Sequence, residues 1–295
     1  MLKREEPEST EQAAPSAEHW TRSIGLQTHC LHCGHPRIDE FCGRCGQRHV
    51  DRRLEFWEWV KLTFSRITQL DRGVLYTFGN LLIHPGHVAK EYVRGRRKPY
   101  LNPLTCFFLG AAIQLLALWI LEDRLRATIA EPFEGLAQGN KADWIVSIES
   151  RTQQSIGQVL SDSYIVALKQ AYTYLALITM ALPLAIFTRI GHLLSREKFV
   201  LAETMVWSLY LVSVALTVTA ISNLVLIPIL GNSAGILGIG LYFAIAWNGH
   251  RGFFKHTFFS RLVTLLAMAC SIACFFPSLV LTFLATFVIR IALAG

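Results

Sequence analysis

Four cysteines near the front of the chain, Cys30, Cys33, Cys42 and Cys45, form two Cys-x-x-Cys-Gly knuckles separated by eight residues. Each knuckle turns the backbone so that both of its sulfurs face one point, and Gly34 and Gly46 relieve the turn. Four thiolates complete a tetrahedral zinc site, which contributes folding energy and leaves no coordination position open for catalysis. His29, His32 and His35 offer further ligands nearby, but the cysteines already suffice. A redox dithiol pair and a pair of disulfides remain as alternative readings of this spacing. A ribbon at 29–49 is too short to bury a core, so bound metal has to substitute for one. Thiolates persist in a reducing compartment, which places the ribbon in the cytoplasm. Cys30–Gln47 holds few Lys or Arg and no helix to enter a groove, so no nucleic-acid partner is expected.

The second chemical cluster is basic. Lys90, Arg94, Arg96, Arg97 and Lys98 crowd between Pro85 and Pro103, with Tyr92 and Tyr100 as aromatic anchors. Such cations each gain about 1 kcal/mol beside an anionic leaflet. Arg forks also match phosphate oxygens, so the cluster reads either as a topology signal or as a site for lipid phosphate. His87 and Glu91 stand one helical turn apart, and an ordinary hydrogen-bonding role is preferred over an acid–base or metal pair. Two more basic groups, His192 with Arg196 and Lys198, and His250 and His256 with Arg251 and Lys255, are further places to meet an anionic headgroup. No catalytic residue is assigned. The chain has no P-loop, no His-Glu-x-x-His and no acidic metal cluster. Cys270 and Cys274 lie in an apolar run, where thiols stay protonated and inert.

The elements that carry these groups follow from how charge is distributed. Hydrophobic residues make up 52% of the chain and charged residues 17%, against about 25% charged in soluble domains. Residues 1–101 hold 16 Lys+Arg and 12 Asp+Glu, while the remaining 194 hold 12 and 9. A soluble head therefore precedes a membrane body. Residues 1–28 read as a disordered lead-in, acidic and without the apolar core of a signal peptide. Residues 50–101 read as amphipathic and juxtamembrane helices. Phe56, Trp57, Val60, Phe64, Ile67 and Leu70 recur at helical spacing, which suits a headgroup interface or the protein's own body equally.

The body, 102–295, is expected to be all-α and polytopic, with about five transmembrane helices. The expected spans lie near 104–121, 171–188, 204–230, 231–247 and 262–289, each approaching the roughly 20 apolar residues that a crossing needs. The fourth is the weakest and is also compatible with a re-entrant hairpin. Pro228 and Pro277 mark expected break points in the long third and fifth spans. Basic flanks put the N-terminus inside. The connection 122–170, with five Lys+Arg against seven Asp+Glu, is then outside and reads as helices against the outer face. No span carries an Asp or Glu in its middle, which argues against proton-coupled transport. Gln114, Ser208, Ser213, Thr217, Ser222 and Asn223 read mainly as helix glue.

Leu70-Asp-Arg-Gly-Val-Leu-Tyr-Thr77, then His84-Pro-Gly-His-Val-Ala-Lys-Glu-Tyr-Val-Arg-Gly-Arg-Arg-Lys-Pro-Tyr-Leu-Asn-Pro103, resembles an uncharacterised bacterial family, a domain of unknown function. Its members join an N-terminal zinc ribbon ending Cys-Gly-Gln to a multi-span body. The resemblance covers about Cys30 to Phe108 and implies a bacterial inner-membrane protein without an assigned activity. The recurrent residues it marks are Asp71, Arg72, Gly73, Pro85, Gly86, Glu91, Tyr92, Gly95, Arg97 and Pro103. The layout of the body is also similar to that of Yip1-like five-span proteins. The expected function is a non-enzymatic scaffold or recruitment protein of the inner membrane, with anionic lipids and a cytoplasmic protein as partners. The alternative is a lipid-handling transporter or flippase. A polar groove between the first and third spans would favour transport, and tightly packed spans would favour the scaffold.

Overall fold

The computed structural model describes residues 28–36, 40–48, 73–137, 142–194, 199–230, 234–254 and 257–294. The lead-in to residue 27, the amphipathic segment Phe56–Leu70, Asp71, Arg72, Arg196, Lys198, Lys255 and His256 lie outside the described residues. The chain divides into two compact units, Met1–Arg53 and Leu54–Gly295.

Among the described residues the larger unit is helical and contains no strand. Its helices are α1 (Gly73–Ile83), α2 (Pro85–Arg94), α3 (Pro103–Ile120), α4 (Glu122–Ala137), α5 (Asp143–Thr152), α6 (Ile156–Gln170), α7 (Leu182–Leu194), α8 (Leu201–Leu230), α9 (Ala234–Phe253) and α10 (Phe258–Leu293). Two π-helical stretches, Ala171–Leu175 and Leu177–Ala181, join α6 to α7.

Among the described residues, three helices are long and apolar enough to cross a membrane: Pro103–Ile120, Leu201–Ile229 and Phe258–Leu293. The bent pair Ile156–Thr173 and Leu177–Leu193 makes a fourth if it counts as one span. The protein is thus an all-α membrane protein. The expected fourth span is helical over the 20 residues of α9, but Trp247, Asn248, His250 and Arg251 near its end lower its apolar character.

The breaks fall elsewhere than expected. Helices α8 and α10 continue through Pro228 and Pro277. The bend of 62° lies instead between α6 and α7, across the two π-helical stretches and ahead of Pro183 in the first turn of α7. A π turn carries an extra residue per turn and misaligns the helix on either side of it. Within the bend, the Thr173 hydroxyl donates to the Lys169 carbonyl at 2.6 Å and Thr179 donates to Leu175 at 2.8 Å. Hydroxyls of this kind re-satisfy carbonyls loosened by the irregular ladder.

Helix α8 is the hub. From Ala202 to Leu216 every side chain is buried, Trp207 and Tyr210 among them. It runs parallel to α3: Tyr210 donates to the Leu101 carbonyl, Ser213 to the Cys106 carbonyl at 2.6 Å, and Thr219 reaches Gln114 at 3.5 Å. The seam is closed by a glycine, since a Cβ on Gly110 would lie 2.6 Å from the Ser213 carbonyl oxygen. Small residues let helices approach in this way where lipid removes the hydrophobic drive for association. Helix α10 instead exposes Leu266, Phe276, Val280, Leu281, Leu284 and Val288. An apolar surface of that length fits hydrocarbon rather than water.

Candidate functional site

The cysteine module is built from two matching turns. In the first, the Gly34 amide donates to Cys30 at 2.8 Å and the Cys30 amide to His35 at 2.7 Å. In the second, Gly46 donates to Cys42 at 2.7 Å and Cys42 to Gln47 at 2.8 Å. Gly34 and Gly46 both sit at φ 70°, the left-handed region that a side chain rarely adopts. Isolated bridges at His29–Pro36 and Phe41–Arg48 close each loop.

The turns bring all four sulfurs together, with every pair within 4.8 Å. Cys30 and Cys45 sulfurs are 3.6 Å apart, and those of Cys33 and Cys42 are 3.5 Å apart. A tetrahedron of sulfurs about 2.3 Å from a metal has edges of about 3.8 Å, so the cage is the size of an ion. The thiols are electrostatically unequal. The Cys45 backbone amide pulls Cys42 down to about 6, while burial pushes Cys45 up to about 12. A divalent cation compensates the crowding of four thiolates. Among the described residues this is the one group of His, Cys, Asp and Glu ligand atoms close enough to hold a metal, and His29, His32 and His35 are outside it.

Among the described residues, Gly73, Pro85, Gly86, Glu91, Tyr92, Gly95, Arg97 and Pro103 build a compact turn. Pro85 starts α2 at a position that needs no amide proton. Gly86 lets α2 cross α9 at backbone contact: a Cβ there would stand 2.0 Å from the Gly249 carbonyl oxygen. Gly252 makes the reciprocal approach: a Cβ there would stand 2.4 Å from the His87 amide nitrogen. Gly95 ends α2 at φ 108° and donates to Tyr92 at 3.1 Å. Glu91 fastens the loop that follows, accepting from Arg96 at 2.8 Å and from the Tyr100 hydroxyl at 3.1 Å. Burial and the Glu91 charge raise the Tyr100 phenol well above its usual range. Asn102 then caps α3 and Pro103 begins it. Gly73 faces the Pro99 carbonyl, 3.3 Å from its would-be Cβ.

The five cations of this stretch are not one open fan. Arg96 is turned back onto Glu91. Arg97 lies over the Tyr92 ring at 5.6 Å, its Nε 3.4 Å from the Tyr92 carbonyl. Lys90 is held below its usual range by burial and by Arg94, and Arg94 by burial. Lys98 is exposed. His87 approaches Glu91 at 3.7 Å but is largely exposed, a marginal pair beside the contacts from Arg96 and Tyr100.

His192 and His250 do not face headgroups. Both are buried, and they stack on the Phe254 ring at 4.3 Å and 5.5 Å. The closing of α7 and α9 around Phe254 draws both rings inward, and His250 Nδ1 meets the Thr264 hydroxyl at 2.9 Å.

Sequence reasoning missed a charged knot at the opposite end of the bundle. Arg126 bridges Glu122, at 2.6 Å, and Asp162. Lys169 pairs with Glu122 at 2.8 Å, and Arg290 with Asp162. The knot ties α4, α6 and α10. Lys169 and then Arg126 hold the Glu122 carboxyl below the usual carboxylate range. The stability it contributes is therefore fully present above the unfolded value near 4.5 and is lost as pH falls through the folded value. Melting temperatures followed below pH 5 are expected to fall less steeply for Glu122→Gln than for the wild type.

Beside the knot lies a cavity of about 440 Å³ between α3, α4, α6, α8 and α10, lined mainly by apolar side chains and by Gln114, Thr128, Tyr164, Tyr172 and Asn223.

Residues 71–115 match the family model described as "Protein of unknown function (DUF3667)". The match spans the motif turn and most of α3. No curated protein and no solved structure matches the chain.

Proposed function

We propose that the chain is a bacterial inner-membrane anchor whose cytoplasmic zinc ribbon recruits a protein partner. The carrying observation is the surface of the cysteine module: Phe41 is 52% exposed and Leu31 37% exposed, on a fold with almost no core of its own. A metal-folded ribbon that spends apolar side chains on its surface presents a contact face. Zinc is the ion of choice because four thiolates in a closed cage suit it.

The seam between α3 and α8 supports the same reading against a flippase. Gly110 and Ser213 close it at backbone contact, and the Ser213 and Thr217 hydroxyls bond to carbonyls of the helices themselves. Arg96 and Arg97 serve the turn that joins α2 to α3, and Lys98 is exposed beside it.

The test is a photo-crosslinking residue placed at Phe41 of the full chain in native membranes. A discrete crosslinked partner is expected, and it should disappear in the Cys30→Ser/Cys33→Ser background. Crosslinks confined to the chain itself, or to lipid, would sink the recruitment reading. Phospholipid scrambling by the purified protein in vesicles would replace it with the transport reading.

A further inference from the structure

Beyond that reading, we propose that the 440 Å³ cavity is a binding site for an anionic amphiphile with one apolar chain, its head held by Arg126, Lys169 and Arg290. The volume falls within the range of about 300–1,000 Å³ typical of small-molecule sites. Leu118, Leu121, Leu125, Ile129, Leu168 and Phe283 supply an apolar wall suited to a hydrocarbon chain. Gln114 is 1% exposed and opens the polar side of the lining, together with Asn223 and the two tyrosines.

The charged knot selects the sign of the head. Glu122, Arg126 and Lys169 each follow a lining residue in sequence, and Asp162 lies between Leu160 and Tyr164, so the knot and the cavity share one level of the bundle. Three cations face two carboxylates there, leaving one positive charge uncompensated within the knot. The layering points the same way. The cation side chains are 39%, 37% and 32% exposed, and the carboxylates only 21% and 14%. The carboxylates are covered and the cations lie outward, so an arriving head meets positive charge first. Asp123, Arg124 and Glu131 of α4 are exposed and take no part in the knot among the described residues. A long-chain carboxylate or a lysophospholipid with an anionic head has the required chemistry.

Native mass spectrometry of the full chain in a neutral detergent tests this, with lysophosphatidylglycerol and lysophosphatidylcholine added separately and palmitate as a third arm. The anionic lysolipid is expected to be retained about tenfold more tightly than the zwitterionic one, the scale of one charge-assisted hydrogen bond. Palmitate binding as well would identify charge and chain as sufficient; its failure beside a bound lysolipid would identify phosphate as the head. Ile129→Trp, which fills the cavity without touching a charge, should abolish retention, and Arg290→Gln should remove the preference for the anion. Thermal melts confirm that each variant is folded, and Lys169→Gln replaces Arg290→Gln if the latter is not. Equal retention of both heads, no retention of either, retention that survives Ile129→Trp, or a preference that survives the charge variant each overturns the proposal.

Discussion

Replacing Cys42 by Ser is expected to unfold the cysteine module and release its metal. Structural zinc in comparable small modules contributes about 10–16 kcal/mol of apparent binding free energy, which is folding free energy where no core exists. Cys42 is buried within the cage, its sulfur 3.5 Å from that of Cys33. A hydroxyl there leaves three sulfurs and a poorer ligand. Native mass spectra should show one zinc per wild-type chain and none in the variant. Limited proteolysis should then cut between residues 28 and 48, as it should in wild type treated with a strong chelator. The larger unit has its own core of buried residues around α8, so its thermal transition should remain. A variant that keeps stoichiometric zinc, or that loses zinc yet resists proteolysis, would show that the thiols do not fold the module through a metal.

Gly86→Val should be nearly as damaging, in the other unit. The added Cβ would lie 2.0 Å from the Gly249 carbonyl oxygen and 2.9 Å from the Phe253 amide nitrogen. Both neighbours are backbone, so relief requires moving α2 away from α9. Overpacking a core ordinarily costs about 1–3 kcal/mol, and a backbone clash that no rotamer can absorb should exceed about 3 kcal/mol. Gly79→Ala is the control. It is a helical glycine with nothing within 4 Å of its would-be Cβ, and it should be neutral or gain up to about 1 kcal/mol. Melting of both variants in detergent, with cysteine accessibility at Cys106 as a local probe, separates the two outcomes. A Gly86→Val protein as stable as Gly79→Ala would mean that α2 does not dock on α9 as described.

The sequence was most informative where structure is local. A Cys-x-x-Cys-Gly knuckle is a single turn, so its spacing already implies converging sulfurs, and the cage around Cys30, Cys33, Cys42 and Cys45 follows from two such turns. The same is true of Pro85, Gly95 and Pro103, whose backbone restrictions mark where α2 begins and ends and where α3 starts. Spanning helices are legible because the bilayer responds to apolar character summed over a turn-by-turn stretch, as in α3, α8 and α10. Proline position alone was an uneven guide within that bilayer. Pro228 and Pro277 pass without a break, since a helix held by neighbours absorbs one lost hydrogen bond, while the 62° bend falls across the π-helical stretches ahead of Pro183.

Residue types in the basic segment were legible, but their partners were not. Arg96, Arg97 and Lys98 are consecutive, yet the two arginines fold back on Glu91 and Tyr92 while Lys98 is exposed. His192 and His250 carried the composition of a headgroup site and were drawn into the core by Phe254. The charged knot is further still from sequence reasoning, because Asp162 and Arg290 are 128 residues apart.

By itself the sequence determined an all-α membrane body, a metal-sized cysteine cage and the turn that starts the first span, all set by turn geometry or by summed hydropathy. Only the tertiary structure decided which cations are spoken for, where the bundle bends, and that a cavity opens beside Asp162. These depend on contacts between helices, and the direction in which a helix turns its side chains toward another is not written in either segment alone.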